Sequence, residues 1–122
     1  MEDTFDKITV NGVEYVRKTA TVAEPVDGLR YCIIRCSGAG VHAGFVRRRD
    51  GEEVELLNSR RLWRWYGKTL SGLAIEGSFA PDQCKYADEI PEITLLGACE
   101  IIPCSDAGIK SIREDVGPWV NE

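Results

Sequence analysis

Two dipeptides that favour tight β-turns constrain the fold of this chain more than any other feature. Asn11-Gly12 and Asp50-Gly51 each lie between segments in which apolar and polar residues alternate. Asn, Asp and Gly tolerate the positive φ angles of a type I′ turn, and a period of two is typical of strands with one buried face. The sequence therefore predicts two β-hairpins, one over residues 6–17 and one with strands at 45–49 and 52–57.

Further strands are predicted elsewhere in the chain. Residues 29–36 are rich in β-branched side chains, residues 62–66 alternate aromatic and polar side chains, and residues 93–102 form an apolar run. Pro103 cannot donate a ladder hydrogen bond, so we expect it to end the last of these strands.

Two short helices complete the prediction. Leu70, Leu73 and Ala74 share one face of a helix over residues 70–77, which Gly77 can end. Ser105 can cap a second helix over residues 106–114. We expect residues 78–91 to form a loop and Trp119 to pack back on the domain. The predicted class is α+β: a small single domain with an antiparallel sheet of five or more strands and two short helices.

The chain divides near residue 28. Residues 18–28 show no clear period and contain Pro25 and Gly28, which favours a linker. We therefore predict an N-terminal hairpin and linker over residues 1–28, and the main α+β domain over residues 29–122.

The charge is unevenly distributed along an acidic chain. The 122 residues carry a net charge of −5, but residues 30–68 hold 9 basic and 4 acidic side chains. DNA binding depends on neutralising phosphates with many Lys and Arg side chains, so no DNA partner is expected. The basic middle segment instead suits a local site for a small anion, or salt bridges to the acidic segments.

The five cysteines indicate free thiols rather than a disulfide framework. Five is an odd number, and the N-terminal residues do not resemble a signal peptide. No apolar run is long enough to cross a membrane. We expect a cytoplasmic protein with cysteines in its core, and we expect no metal ion and no cofactor. Cys32 and Cys36 are four residues apart, unlike the closer ligand pairs of most zinc sites.

Two segments are candidates for ligand binding. The first, Ser37-Gly38-Ala39-Gly40-Val41-His42-Ala43-Gly44, consists mainly of small residues that let backbone N–H groups approach a ligand, although a turn that needs glycine explains it equally. The second, residues 58–67, places Arg60, Arg61 and Arg64 among two tryptophans and a tyrosine. Arginine binds phosphate through parallel N–H donors and aromatic rings stack on bases. Core tryptophans flanked by surface arginines are the alternative.

Other charged residues carry weaker signals. Arg47, Arg48 and Arg49 precede the second predicted turn, and pairing with Glu52, Glu53 and Glu55 across the hairpin explains them. Arg113 lies at the edge of the buried face of the last predicted helix and is a candidate ligand contact. Catalysis is poorly supported, because the chain has a single histidine and no known hydrolase motif.

Several blocks together resemble a family of small phage and prophage proteins, the first-described Thoeris anti-defence sponges. The matching blocks are YCIIRCSGAGVHAG (residues 31–44), LNSRRLWRW (57–65), LSGLAIEG (70–77), Cys84-Lys85, EIIP (100–103) and Pro118-Trp119. They cover residues 29–119, and their order and spacing carry the resemblance.

The resemblance implies a non-enzymatic role for residues 29–122 as a nucleotide-signal-binding domain. Thoeris TIR-domain enzymes make a cyclic ADP-ribose isomer, glycocyclic ADP-ribose, that activates an effector during phage infection. A sponge binds this signal without cleaving it and so blocks effector activation in the host cytoplasm. The family forms homo-oligomers, dimers or assemblies of dimers, and some members are reported to take up cyclic oligonucleotides.

The candidate ligand contacts follow from the two segments and the resemblance together. They are Ser37, Gly38, Ala39, Gly40 and His42 for backbone or polar contacts, Asn58, Arg60 and Arg61 for phosphate and ribose, Trp65 or Phe79 for adenine, and Arg113 for phosphate. The alternative functions are an interaction module that inhibits a host protein through the Arg-Trp strand, a nucleotide-cleaving enzyme that uses His42 or Cys36, and a structural phage protein.

Overall fold

The computed structural model of the protein describes residues 5–10, 13–18 and 21–117. These residues form β1 (Phe5–Val10), β2 (Val13–Lys18), β3 (Arg30–Cys36), β4 (Gly40–Asp50), β5 (Glu53–Arg64), α1 (Leu70–Glu76), β6 (Lys85–Tyr86), β7 (Ile90–Leu95), β8 (Ala98–Pro103) and α2 (Asp106–Lys110). A 3-10 turn covers Pro81–Gln83 and a π-helical turn covers Ser111–Asp115. The predicted α+β class, with an antiparallel sheet and two short helices, is confirmed.

The first predicted hairpin is present. β1 and β2 pair antiparallel, with Val10 opposite Val13. The two residues of the predicted turn, Asn11-Gly12, lie outside the described residues, as does Trp119. Among the described residues, neither helix nor any other helical segment has the length and apolar character needed to cross a bilayer.

The main sheet has six antiparallel strands and curls on itself. Five strands follow the order β6-β5-β4-β3-β8, and β7 pairs with the same edge of β5 as β6 does. β7 and β8 therefore lie at opposite edges, yet only Leu96 and Gly97 separate them along the chain. The two edges must converge at this link, where the Ser37 N–H donates to the Gly97 carbonyl at 3.0 Å. The curl gives the sheet an inner face and a face toward the helices, here called the helix face.

The helix face carries the larger core. Tyr31, Ile33 and Phe45 of the sheet pack with Leu73 of α1 and Ile112 of the π-helical turn. Burial of such side chains contributes roughly 1.5–3 kcal/mol each. The predicted cap of α2 is present, since Ser105 Oγ accepts the Gly108 N–H at 3.1 Å. The N-cap of α1 is Thr69, whose Oγ1 accepts the Gly72 N–H at 2.9 Å.

The inner face is apolar as well. Cys32, Ile34, Val54, Leu56 and Leu95 form its buried cluster. The five cysteines are free, as predicted, and Cys32, Cys36 and Cys104 are buried, whereas Cys84 is half-buried and Cys99 is exposed.

A β-bulge in β5 changes which side chains face which core. Ala43 opposes Arg60 and Phe45 opposes Leu57, so Asn58 and Ser59 together oppose the single residue Gly44. Asn58 adopts a positive φ of 50°, which Asn tolerates better than most residues. Because side chains alternate along a strand, one extra residue moves everything after it to the other face.

Three local predictions were wrong in detail. The second hairpin is present, but Asp50 pairs with Glu53, so Gly51-Glu52 are the central turn residues and only Gly51 has a positive φ, 61°. Residues 93–102 form two strands rather than one, because the chain turns at Leu96-Gly97. The segment 78–91 is not all loop, since it includes the 3-10 turn, β6 and the start of β7, where Pro91 lies in an edge strand that tolerates proline.

The contact between α1 and α2 depends on a glycine. A Cβ atom at Gly108 would lie 1.8 Å from the carbonyl oxygen of Ala74. We therefore expect Gly108→Ala to lower the free energy of unfolding by about 3 kcal/mol or more, because the backbones of the two helices would have to separate. Urea denaturation measures the change, with Gly38→Ala as the control, since a Cβ at Gly38 meets no atom within 4 Å. Equal stability of the two variants would contradict this close helix contact.

Candidate functional site

The two candidate segments meet at one backbone carbonyl. His42 of β4 lies directly opposite Arg61 of β5 on the inner face. His42 Nε2 donates to the Ala39 carbonyl oxygen at 2.9 Å, and Arg61 Nη2 donates to the same oxygen. The turn at residues 37–39 is thereby fixed to β5, and the backbone of Gly40 lies over the Arg61 guanidinium.

Arg61 differs in its partners from the arginines that form ion pairs. Its guanidinium carbon lies 4.7 Å from the ring centroid of Trp63, a side chain that is 53% exposed. Arg35, Arg47, Arg48 and Arg113 each pair with a carboxylate. In the described part of the chain, Arg61 forms no ion pair, and its one hydrogen bond uses Nη2. Donors on Nε and Nη1 therefore remain for an anion.

His42 is neutral in this setting. Burial lowers the pKa of His42 below its ordinary value, and the nearby charge of Arg61 lowers it further, whereas the hydrogen bond to Ala39 opposes the shift. Because a carbonyl only accepts, Nε2 carries the proton and Nδ1 is left as an acceptor. The site thus has a single positive charge, on Arg61.

A cavity of about 230 Å³ lies beside Arg61. His42, Ser59 and Arg61 line it together with Ile90 and Ile93 of β7. The side chain of Ser59 is buried, and its hydroxyl has no hydrogen-bond partner in the described part of the protein. The cavity is smaller than the ~300–1,000 Å³ of sites that enclose a whole small ligand.

Ser37 and Gly38 lie in the turn between β3 and β4, here called the hairpin tip, which adjoins this site. Both are exposed, and the Ser37 N–H is already donated to Gly97. Among the predicted contacts, the structure brings together Ser37, Gly38, Ala39, Gly40, His42 and Arg61.

Arg60 points away from this site because of the bulge. It is 5% exposed, and its guanidinium donates to five backbone carbonyls, those of Tyr86, Ala87, Ile112, Val116 and Gly117. A guanidinium has five N–H donors. Arg60 therefore holds the end of the π-helical turn against β5 and has no donor to spare for phosphate.

Arg113 lies at a separate and more acidic cleft. Its Nε and Nη2 atoms donate to the two oxygens of Glu89, each at 2.9 Å. The cleft has a volume of about 620 Å³, and its charged lining consists of the three acidic residues Asp88, Glu89 and Glu114 and the two basic residues Arg60 and Arg113. Asp88 also lines the smaller cavity beside Arg61, so the two hollows are neighbours. The surplus of carboxylates disfavours an anion in the larger cleft.

Three predicted contacts lie elsewhere. Asn58 is exposed and lines a hollow with Val26 and Leu29. Trp65 follows the end of β5 and packs against the helix-face core. Phe79 is 71% exposed, lies edge-on to Tyr66 and borders a different hollow near α1.

Sequence reasoning missed two residues of this site. Trp63 belongs to the second candidate segment, and the structure packs it against the Arg61 guanidinium. Ser59 follows the bulged residue Asn58, and no local signal in the sequence places it at the cavity beside Arg61.

The comparisons with known proteins bear on the family alone. The model of the family described as a domain of unknown function, DUF6948, matches residues 29–112, more than half of the chain. The chain belongs to this family. The matched segment runs from the residue before β3 into the π-helical turn, so it includes the site at Ala39 and Arg61. The strands β1 and β2 lie before the matched segment. No curated protein and no solved structure gives a significant match to the chain.

The lowered pKa of His42 predicts how stability depends on pH. Below about pH 6.5 His42 is protonated in the unfolded chain but stays largely neutral in the folded protein. The contribution of neutral His42 to the free energy of unfolding should therefore be fully present above this pH. It should decrease as the pH falls toward the lower pKa of His42 in the folded state. Urea denaturation between about pH 7 and pH 5.5, where most carboxylates stay charged, measures the effect.

His42→Gln provides the control for this prediction. Gln can keep a donor near the Ala39 carbonyl but does not titrate, and the chain has no other histidine. A decrease of equal size in the His42→Gln variant would assign the pH dependence to another group.

Proposed function

We propose that this protein is a phage anti-defence sponge that binds glycocyclic ADP-ribose, a cyclic ADP-ribose isomer made by Thoeris TIR-domain enzymes, without cleaving it. The bound signal would no longer reach its effector. In this proposal Arg61 binds the phosphates, and the hairpin tip at Ser37–Gly40 borders the ligand.

The observation that carries the proposal is the state of Arg61. It is half-buried, it has no carboxylate partner in the described part of the chain, and its guanidinium is oriented by Ala39 and Trp63. Orienting a guanidinium before binding reduces the entropy lost when it grips a phosphate. An arginine beside an exposed aromatic ring and an apolar cavity suits a ligand that combines phosphates with a base.

Retention without cleavage agrees with the surroundings of His42. In the described residues, no hydrogen bond joins the His42 ring to a carboxylate, a hydroxyl or a thiol, whereas nucleophilic catalysis requires such a pair. A sponge must also bind tightly, since a Kd of ~1 nM corresponds to about −12 kcal/mol. Charge-assisted bonds from Arg61 supply part of this binding free energy. We expect a second copy of the chain to enclose the part of the ligand that extends beyond the cavity.

The second candidate function is inhibition of a host protein. Trp63 and Arg61 are adjacent on the surface, and tryptophan and arginine are the residue types that dominate protein–protein hot spots. This surface would then bind a protein side chain or backbone rather than a nucleotide.

Arg61→Ala tests the proposed function. We expect it to weaken binding of glycocyclic ADP-ribose at least tenfold, because a charge-assisted pair with phosphate contributes roughly 1.5–3 kcal/mol. Isothermal titration calorimetry on purified protein measures the affinity. Arg61→Lys should recover only part of the loss, since an ammonium group lacks the planar pair of donors.

The matched control is Arg48→Ala. It removes the same charge from the opposite end of the β4–β5 hairpin, where Arg48 pairs with Glu55 on the surface. We expect its affinity to equal that of the wild type. Equal affinity in Arg61→Ala would remove Arg61 from the site, and wild-type protein that binds no nucleotide but captures Trp63-dependent protein partners would favour the second candidate.

A further inference from the structure

His42 and Arg61 share one hydrogen-bond acceptor. The two residues lie directly opposite each other on β4 and β5. His42 Nε2 donates to the Ala39 carbonyl oxygen at 2.9 Å, and Arg61 Nη2 donates to the same oxygen. An anion held by the remaining donors of Arg61 therefore lies close to the imidazole ring of His42.

The surroundings of His42 keep its ring neutral in the free protein. Burial lowers the pKa of His42 most, the hydrogen bond to Ala39 opposes this shift, and the charge of Arg61 adds to it. The charged and titratable groups that face the ring are Arg61 on β5, Cys36 on the inner face of β3, and Asp88 at the cavity that His42 lines. Burial raises the pKa of Cys36, so its thiol is uncharged. Asp88 is exposed, and solvent screens its charge, so Arg61 is the dominant charge at His42.

A phosphate bound at Arg61 changes this electrostatic balance. Its negative charge offsets the charge of Arg61 and favours the charged form of the imidazole. The effect acts through space and needs no contact between ligand and ring, which suits a side chain that is 2% exposed. In the charged form Nδ1 becomes a donor. The cavity of about 230 Å³ that His42 lines has room for a water molecule that accepts from it.

We infer that His42 takes up a proton when an anion binds at Arg61, so that a moderate fall in pH tightens binding of the proposed signal. This inference rests on the phosphate site of the proposed function and adds a pH response to it. His42 is then a positioning residue, because Nε2 carries a proton in both charge states and holds the Ala39 carbonyl beside Arg61 in each.

Linkage fixes the form of the pH response. The affinity should rise as the pH falls below the His42 pKa of the complex, and it should level off below the lower His42 pKa of the free protein. Uptake of a single proton limits the change in affinity to about tenfold per pH unit.

An NMR titration of the wild-type protein tests the inference directly. The chain has one histidine, so the imidazole protons of His42 report its charge without ambiguity. We expect the titration midpoint of the free protein to lie below about pH 6.5, and saturating glycocyclic ADP-ribose to raise it by about half a pH unit or more. In Arg61→Ala the midpoint of the free protein should itself rise, because the neighbouring charge is gone, and the same ligand concentration should move it less. Arg48→Ala is the control and should titrate as the wild type does, since Arg48 lies at the opposite end of the hairpin.

Calorimetry measures the proton uptake itself. Binding heats at about pH 6 in two buffers of different ionisation enthalpy should show uptake of up to about one proton per site in the wild type. His42→Gln should show none. Uptake of equal size in His42→Gln would assign the proton to another group, such as Asp88, and overturn the inference.

The outcomes separate this inference from the proposed function. Tight binding of glycocyclic ADP-ribose with an unchanged His42 midpoint overturns the proton uptake and leaves the sponge proposal standing. If this ligand does not bind, the sponge proposal fails, and sulfate, which does not titrate in this pH range, is compared with chloride at equal ionic strength. A rise of the midpoint that is specific to sulfate and absent in Arg61→Ala retains the inference. Equal midpoints in the two salts overturn it.

Discussion

The backbone at Asn58, where β5 has one residue more than the strand beside it, determines the faces on which the following side chains lie. Gly44 makes this possible, because a Cβ there would come within 3.0 Å of the Leu57 carbonyl oxygen and 3.2 Å of the Ser59 Cα. Without the extra residue, Arg60 would follow Leu56 onto the inner face and Arg61 would lie under the helices. With it, Arg60 reaches the carbonyls that end the last helical segment, and Arg61 reaches the hairpin tip.

Two adjacent arginines thus have opposite roles. Arg60 is buried with all five donors used, and its charge is balanced by carbonyl dipoles at a helix C-terminus, where cations are favourable. Arg61 keeps donors available next to an apolar cavity. Part of the remaining basic surface is neutralised, since Arg47 and Arg48 share Glu55 and Arg113 is paired with Glu89. Arg61 thus combines donors that remain available with an adjacent apolar cavity, at the point where the two candidate segments meet.

Local signals predicted the parts of the fold that local physics controls. The cap at Ser105, the helix end at Gly77 and the hairpin between β4 and β5 depend on residues within a few positions of each other, so their patterns can be recognised in the sequence. Local signals did not predict the turn at Leu96-Gly97, because it depends on the pairing of β7 and β8 with strands that are far away in the sequence. The same limit applies to the β-bulge in β5, for which the local sequence gives no signal beyond Asn58.

The candidate site was predicted in part for the same reason. Arginine, tryptophan and a run of small residues indicated nucleotide chemistry, and both segments do meet at Ala39. Which arginine was available depended on the strand register, and strand alternation alone could not distinguish Arg60 from Arg61. The helix position of Arg113 and the aromatic ring of Phe79 made them candidates, but the tertiary fold places both at other hollows.

The fate of the bound molecule tests the central claim most directly. The purified protein would be mixed with lysate from cells in which a Thoeris TIR-domain enzyme is active, separated by filtration, and heated to release what it holds. Mass spectrometry of the released material should find intact glycocyclic ADP-ribose, in an amount approaching the number of sites, and the filtrate should no longer activate the effector. A linear or hydrolysed product, or an active filtrate with nothing retained, would contradict the account.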